Sequence, residues 1–181
     1  MTLFVCSPRK LRSPAAGERR GADSSPAASA SPPRGQLELR LLERHPYTTQ
    51  TFVPLGMAGG GGDDDDAATA FVVVVAPTRA ADEGGDGAGG GMPDLRGLRA
   101  FVGRAGQAVT YAVGTWHAPM VVVGAEPVSF VVTQFANGVA GEDCEEVGVG
   151  GGEGAGVVVA VAMAGWGGAR SEAVGRGGGS L

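Results

Sequence analysis

The hydrophobic pattern along this chain is that of many short strands. Thr2-Leu3-Phe4-Val5-Cys6 opens it with a short strand. Leu37-Glu38-Leu39-Arg40-Leu41 alternates apolar and polar residues, the period of a half-buried strand. Pro46 ends or bends that run, because the residue before a proline is held extended and proline donates no ladder bond. Gln50 to Val53 resumes as a strand, and Pro54-Leu55-Gly56 closes it. Phe71-Val72-Val73-Val74-Val75-Ala76 is apolar throughout, which predicts a central strand buried on both faces. Met92–Gly97 predicts a single helical turn. Leu98–Val102 and Ala108–Val113 predict strands either side of a turn over Gly103–Gln107. Met120–Val123 and Val128–Phe135 predict a hairpin-like pair around Gly124–Pro127, and Asn137-Gly138 marks a turn.

No stretch has the period of an amphipathic helix of normal length, and strands do not alternate with helices. The pattern therefore predicts a mainly β fold, an antiparallel sandwich or small barrel, and excludes a dinucleotide-binding α/β sheet. The glycines form no phosphate-cradling loop, since no Gly-Lys-Ser/Thr occurs.

Composition divides the chain. Of 181 residues 34 are glycine, and they cluster at 59–62, 84–91, 148–156 and 165–179, where ordering costs much backbone entropy. This predicts a first strand over 1–6, a disordered Ser/Pro/Ala/Arg-rich insert over 7–36, a folded domain over 37–147 and a low-complexity tail over 148–181. The tail holds one apolar island, Val157–Met163. The loop at 57–69 carries Asp63–Asp66. These aspartates lack the alternate spacing and central glycine of a calcium loop, so a solvated acidic loop is expected. The loop at 77–92 is expected to be flexible.

Charge narrows the partners. The net charge is -5, and the acidic excess lies after residue 34. The head holds Arg9, Lys10, Arg12, Arg19, Arg20 and Arg34 against Glu18 and Asp23. An acidic body without clustered basic side chains excludes a nucleic-acid groove. The basic head has the composition of a targeting segment, but it opens with a strand. The longest apolar run, Val157–Met163, is too short to span a membrane. Cys6 and Cys144 form no CxxC pair and read as two reduced thiols of a cytoplasmic protein.

The two histidines of the chain, His45 in Glu43-Arg44-His45-Pro46 and His117 in Gly114-Thr115-Trp116-His117-Ala118-Pro119, each stand one or two residues before a proline. Two positioned imidazoles serve as acid and base near neutral pH. On spacing alone, two unrelated structural histidines remain the competing reading. Glu43 or Gln50 could complete a metal site with them, but no His-x-His pair is present, so no metal ligands are assigned and a divalent metal is left open. Cys144 is a poor nucleophile among Glu142, Asp143, Glu145 and Glu146, and no Gly-x-Ser-x-Gly elbow occurs. Trp116 and Tyr111 line either a pocket or the core.

Several separate motifs, in this order and spacing, carry a resemblance. They are Glu43-Arg44-His45-Pro46 with Gln50 and Phe52-Val53-Pro54, then Phe71–Ala76, Leu98–Val102, Gly106–Tyr111, Gly114–Met120, and Asn137-Gly138 with Glu142–Glu146. Over residues 37–147, with Thr2–Arg9 as an earlier strand, the chain resembles the ureidoglycolate lyases, in wording similar to fungal members. The resemblance implies a cupin-like β-fold, a homodimer, and release of glyoxylate and urea from ureidoglycolate late in allantoin breakdown. The family also carries a segment ahead of the strand resembling Thr2–Cys6.

Elimination needs a base for the hydroxyl proton, an acid for the departing nitrogen and donors for the carboxylate. His45 and His117 are the acid–base candidates. Gln50, Arg99, Tyr111, Trp116 and Glu43 are the candidate substrate-binding residues, with Arg44 as an alternative to Arg99 at the carboxylate. The competing functions are an amidohydrolase releasing ammonia from the same substrate and a non-catalytic cupin-like binding protein.

Overall fold

The computed structural model describes residues 1–12, 34–57, 69–80, 91–150, 157–162 and 173–174. The expected acidic loop at Asp63–Asp66, most of the expected insert and most of the expected tail lie outside them. So does the middle of the loop at 77–92.

Among the described residues the fold is antiparallel β with one four-residue helix, α1 (Ala140–Asp143), as the strand pattern predicts. Its three sheets do not close into a barrel. The first orders β1 (Thr2–Cys6), β10 (Val128–Thr133), β4 (Gln50–Leu55) and β7 (Val109–Tyr111). The second orders β11 (Glu145–Gly148), β3 (Leu41–Arg44), β8 (Trp116–His117), β5 (Ala70–Ala76) and β6 (Arg99–Gly103), with β9 (Val121–Val123) also on β5. The third pairs β2 (Arg34–Leu39) with β12 (Val157–Ala162), and β12 with β13 (Ala173–Val174).

The second sheet is the middle layer, and β5 shows why. Its Ala70, Val72, Val74 and Ala76 enter one apolar cluster with Leu37 and Leu39 of β2 and Val159 and Val161 of β12. Its Phe71 and Val73 enter the other, with Phe52, Tyr111, Val128 and Phe130 of the first sheet. A strand covered on both faces needs apolar residues at consecutive positions, which is what the uniform run supplied. Fully buried side chains such as Leu42, Val74 and Phe130 each contribute about 1.5–3 kcal/mol of transfer free energy.

Several expectations change in the folded chain. Val121–Val123 and Val128–Thr133 do not pair with each other. β9 joins β5, whereas β10 lies between β1 and β4. Val121, Val122 and Val123 are all buried, and three consecutive apolar residues belong in the middle layer rather than in a hairpin with one wet face. Pro54 does not close β4. It pairs with Phe130, tolerated because β7 reaches only as far as Phe52, leaving the other side of Pro54 without a ladder. Residues placed in the expected insert are partly structured. Pro8 bridges Val122, Arg12 bridges Gln36, and β2 begins at Arg34. In the expected tail, the island from Val157 to Ala162 is β12, paired along β2, and Met163 lies outside the described residues. The single turn predicted over Met92–Gly97 is a 3-10 turn at Leu95–Gly97, capped by the Asp94 carboxylate accepting the Arg96 N–H at 3.0 Å. No helix among the described residues is long and apolar enough to cross a membrane.

Candidate functional site

The site lies where two rows of cross-strand neighbours face each other. In the middle sheet one register line runs Glu146–Glu43–His117–Val75–Arg99. In the first sheet Gln50 pairs with Tyr111, and Gln134 follows the Thr133–Thr51 pair. Side chains directly opposite across a ladder share a face, so Glu43, His117 and Arg99 share one face of the middle sheet.

His45 comes from the bend after β3. Its place is set by the turn that leads into β8. Gly114, at φ +72°, donates its N–H to the His45 carbonyl at 2.9 Å. A left-handed backbone there favours glycine. One turn thereby ties the two histidine segments together, and the imidazole centroids lie 5.6 Å apart at 40°.

Both rings are buried, His45 to 6% exposure and His117 to 1%. Each turns its Nδ1 to the backbone. His45 Nδ1–H donates to the Asp143 carbonyl at 2.7 Å, and His117 Nδ1–H donates to the Thr115 carbonyl at 2.8 Å. A carbonyl only accepts, so both rings carry a proton on Nδ1, and Nε2 is the nitrogen left for chemistry. The two Nε2 atoms differ. His45 Nε2 is buried with no partner among the described residues. His117 Nε2 meets Gln50 Oε1 at 3.1 Å, with Glu43 Oε1 at 3.5 Å. Gln50 Nε2–H in turn donates to Gln134 Oε1 at 2.6 Å.

Tyr111 stacks on His117 with centroids 3.9 Å apart at 14° and meets Phe52 edge-on. Its hydroxyl is also buried with no partner among the described residues. Burial, and then the charge of Glu43, push its pKa well above the usual phenol value, so it is present as an O–H donor. Leaving a buried polar atom unpaired costs about 1–3 kcal/mol. Among the described residues the site thus holds one unpaired nitrogen, His45 Nε2, and one unpaired donor, the Tyr111 hydroxyl. Donor atoms of Glu43, His45 and His117 lie within 4.8 Å of one another, a set that could hold a metal ion. A metal-bound His usually has its other nitrogen fixed by a carbonyl or carboxylate, as both are here.

The structure brings His45, His117, Gln50, Tyr111 and Glu43 together. It does not bring Trp116 into the site. Adjacent strand residues face opposite ways, so Trp116 enters the cluster on the other face, donating to the Gly91 carbonyl at 2.9 Å under the Arg44 guanidinium. Arg44 is likewise turned away, paired to Glu145 at 2.7 Å. Arg99 shares the face of His117, but Val75 stands between them and its side chain is exposed. Cys144 is held as a neutral thiol. Burial, then Glu43, Glu146 and Glu145, push its pKa up to about 11. Gln134 and the Asp143 and Thr115 carbonyls carry no sequence signal, since backbone acceptors and a cross-strand glutamine are defined only by pairing. A cavity of about 320 Å³ lined by Tyr47, Thr48, Phe135 and Asn137 includes Asp143, the residue that holds His45.

Residues 1–152 match the family described as ureidoglycolate lyase. Over 108 residues the chain is 35% identical to the ureidoglycolate lyase of Schizosaccharomyces pombe, a stretch covering 60% of this chain and 48% of that protein. Over 88 residues it is 46% identical to the ureidoglycolate lyase of Saccharomyces cerevisiae, covering 49% of this chain and 36% of that protein. The chain spans less than half the length of either fungal relative.

Proposed function

The chain belongs to the ureidoglycolate lyase family, and on that premise we propose that it eliminates urea from ureidoglycolate to leave glyoxylate. The observation that carries this is the asymmetry of the two Nε2 atoms, one buried with no partner among the described residues and one in contact with Gln50, side by side in a buried site. His45 Nε2 takes the proton of the substrate hydroxyl. The C–O bond becomes a carbonyl as the C–N bond breaks. His117 Nε2–H protonates the departing ureido nitrogen, giving urea. Glu43 lies 3.5 Å from the same nitrogen. Gln50 and the Tyr111 hydroxyl orient the substrate. Arg99, two strand spacings or about 10 Å from His117, is the cation we assign to the carboxylate.

Equimolar urea and glyoxylate from the purified chain is the expected result, whereas ammonia would replace this reading with the amidohydrolase. His117→Ala lowers kcat by about 10²–10⁴; a change under threefold would remove His117 from the acid role.

A second reading is favoured by the convergence of Glu43, His45 and His117 donors. A divalent ion held by these three would supply Lewis-acid polarisation of the hydroxyl oxygen. Metal analysis of the purified protein, with activity before and after chelation, separates the two. We also read the layered sheets as cupin-like, the location as cytoplasmic and the enzyme as a homodimer. The outer face of the first sheet supports the last, with Leu3, Val5, Val53 and Leu55 exposed. Sedimentation velocity decides it.

A further inference from the structure

We propose that Gln134 is a positioning residue, which decides which end of the Gln50 amide faces the histidines. Gln50 is 8% exposed, and its amide makes two hydrogen bonds among the described residues. Its Nε2–H donates to Gln134 Oε1 at 2.6 Å, and its Oε1 faces His117 Nε2 at 3.1 Å. An amide has a donor end and an acceptor end of nearly the same shape. Packing therefore cannot choose between them, and hydrogen bonding must.

The two glutamines form a chain with two polarities. In the one present here Gln134 offers a carbonyl, Gln50 gives it the NH2, and the Gln50 carbonyl is turned inward. In the other, both amides turn over and Gln50 directs N–H groups at His117. The two polarities present opposite chemistry to the site. An inward carbonyl accepts from a protonated His117, from a ureido N–H or coordinates a cation, while an inward NH2 does none of these. Gln134 reaches this position by register. It follows Thr133, the partner of Thr51, and so stands alongside Gln50 on the same face.

The consequence for rate rests on the lyase reading, whereas the orientation of the amide does not, and the two are measured separately. Three variants of the full chain test it. Gln134→Glu can only accept, so it keeps the Gln50 carbonyl inward, with kcat/KM within about threefold of the parent. Gln134→Met fills similar space with no strong acceptor and releases the amide, lowering kcat/KM by about tenfold, the usual value of one neutral hydrogen bond. Gln134→Lys can only donate, so it forces the NH2 inward and is the least active, down about 100-fold. Simple electrostatics on an anionic substrate predicts the reverse order, with Lys best and Glu worst.

That reverse order, or a Met variant as active as the parent, overturns the proposal. The direct readout is the Gln50 side-chain NH2 in the NMR spectrum. One proton should be downfield and slow to exchange in the parent and in Gln134→Glu, and unprotected in Gln134→Met. Unprotected Gln50 protons in the parent would refute the proposal. If the parent releases no urea and glyoxylate yet shows this NMR pattern, the lyase reading fails and the role of Gln134 stands.

Discussion

Tyr111→Phe should make this protein more stable and less active. The ring keeps its contacts, because the 3.9 Å stack on His117 and the edge contact with Phe52 need no hydroxyl. Only the O–H is lost, and it is buried with no partner among the described residues. In the unfolded chain it bonds to water, so folding strands it at a cost of about 1–3 kcal/mol. Removing it should recover about 1–2 kcal/mol, raising Tm by about 2–4 °C per kcal/mol for a domain of this size.

The same O–H is the free donor of the site, so its loss should lower kcat/KM for ureidoglycolate by about tenfold, one neutral hydrogen bond to substrate. A pH series adds a signature. The folded-state pKa of Tyr111 lies above its ordinary value of 10.0 because burial and Glu43 oppose the phenolate. Above pH 10 the unfolded chain loses this proton first, so stability falls as pH rises. That contribution should vanish in the Phe variant. Urea denaturation and glyoxylate release are the two assays. Destabilisation by more than about 0.5 kcal/mol would mean the hydroxyl has a stabilising partner in the fold, smaller than the net value of a typical hydrogen bond. Unchanged turnover would mean it does not meet the substrate.

Two further predictions concern the frame around the site. Gly114→Ala forces a side chain into a left-handed turn at φ +72°, costing about 1–2 kcal/mol. Because the Gly114 N–H holds His45, it should lower kcat more than KM, measured against an Ala substitution at exposed Gly106, which has the same backbone sign and no site contact. Cys144→Ser should flatten the loss of stability between about pH 9 and about pH 11. The thiol pKa is pushed up to about 11 in the fold, so its stabilising contribution is present below pH 9.0 and lost above. An unchanged alkaline unfolding curve would contradict the burial of that thiol.

Much of the fold is legible in local pattern. The uniform run at Phe71–Ala76 marks a strand covered on both faces, and the turn residues at Gly103–Gln107 and Asn137-Gly138 stand where turns occur. Pairing was less legible. Val121–Val123 and Val128–Thr133 are adjacent in sequence, yet they sit in different layers. A short apolar run specifies that it is buried, not against what. The island at Val157–Ala162 became a strand because β2 offered it a partner, and no property of its glycine-rich surroundings announces that.

The site divides along the same line. The sequence by itself determined the residue types and their local geometry: two imidazoles each close to a proline, a glutamine on a strand, a glycine where the chain must turn left-handed. Trp116 is expected at the site beside His117, but the two are neighbours on one strand and face opposite ways. Only the tertiary structure decided that Glu43 and His117 share one register line, and that a backbone carbonyl 98 residues away holds the His45 Nδ1 proton. It also decided that one Nε2 is bare and the other bonded. Those are properties of distance between segments far apart in the chain. They arise when two sheets pack face to face, because the proton on an imidazole follows whichever acceptor the fold puts beside it.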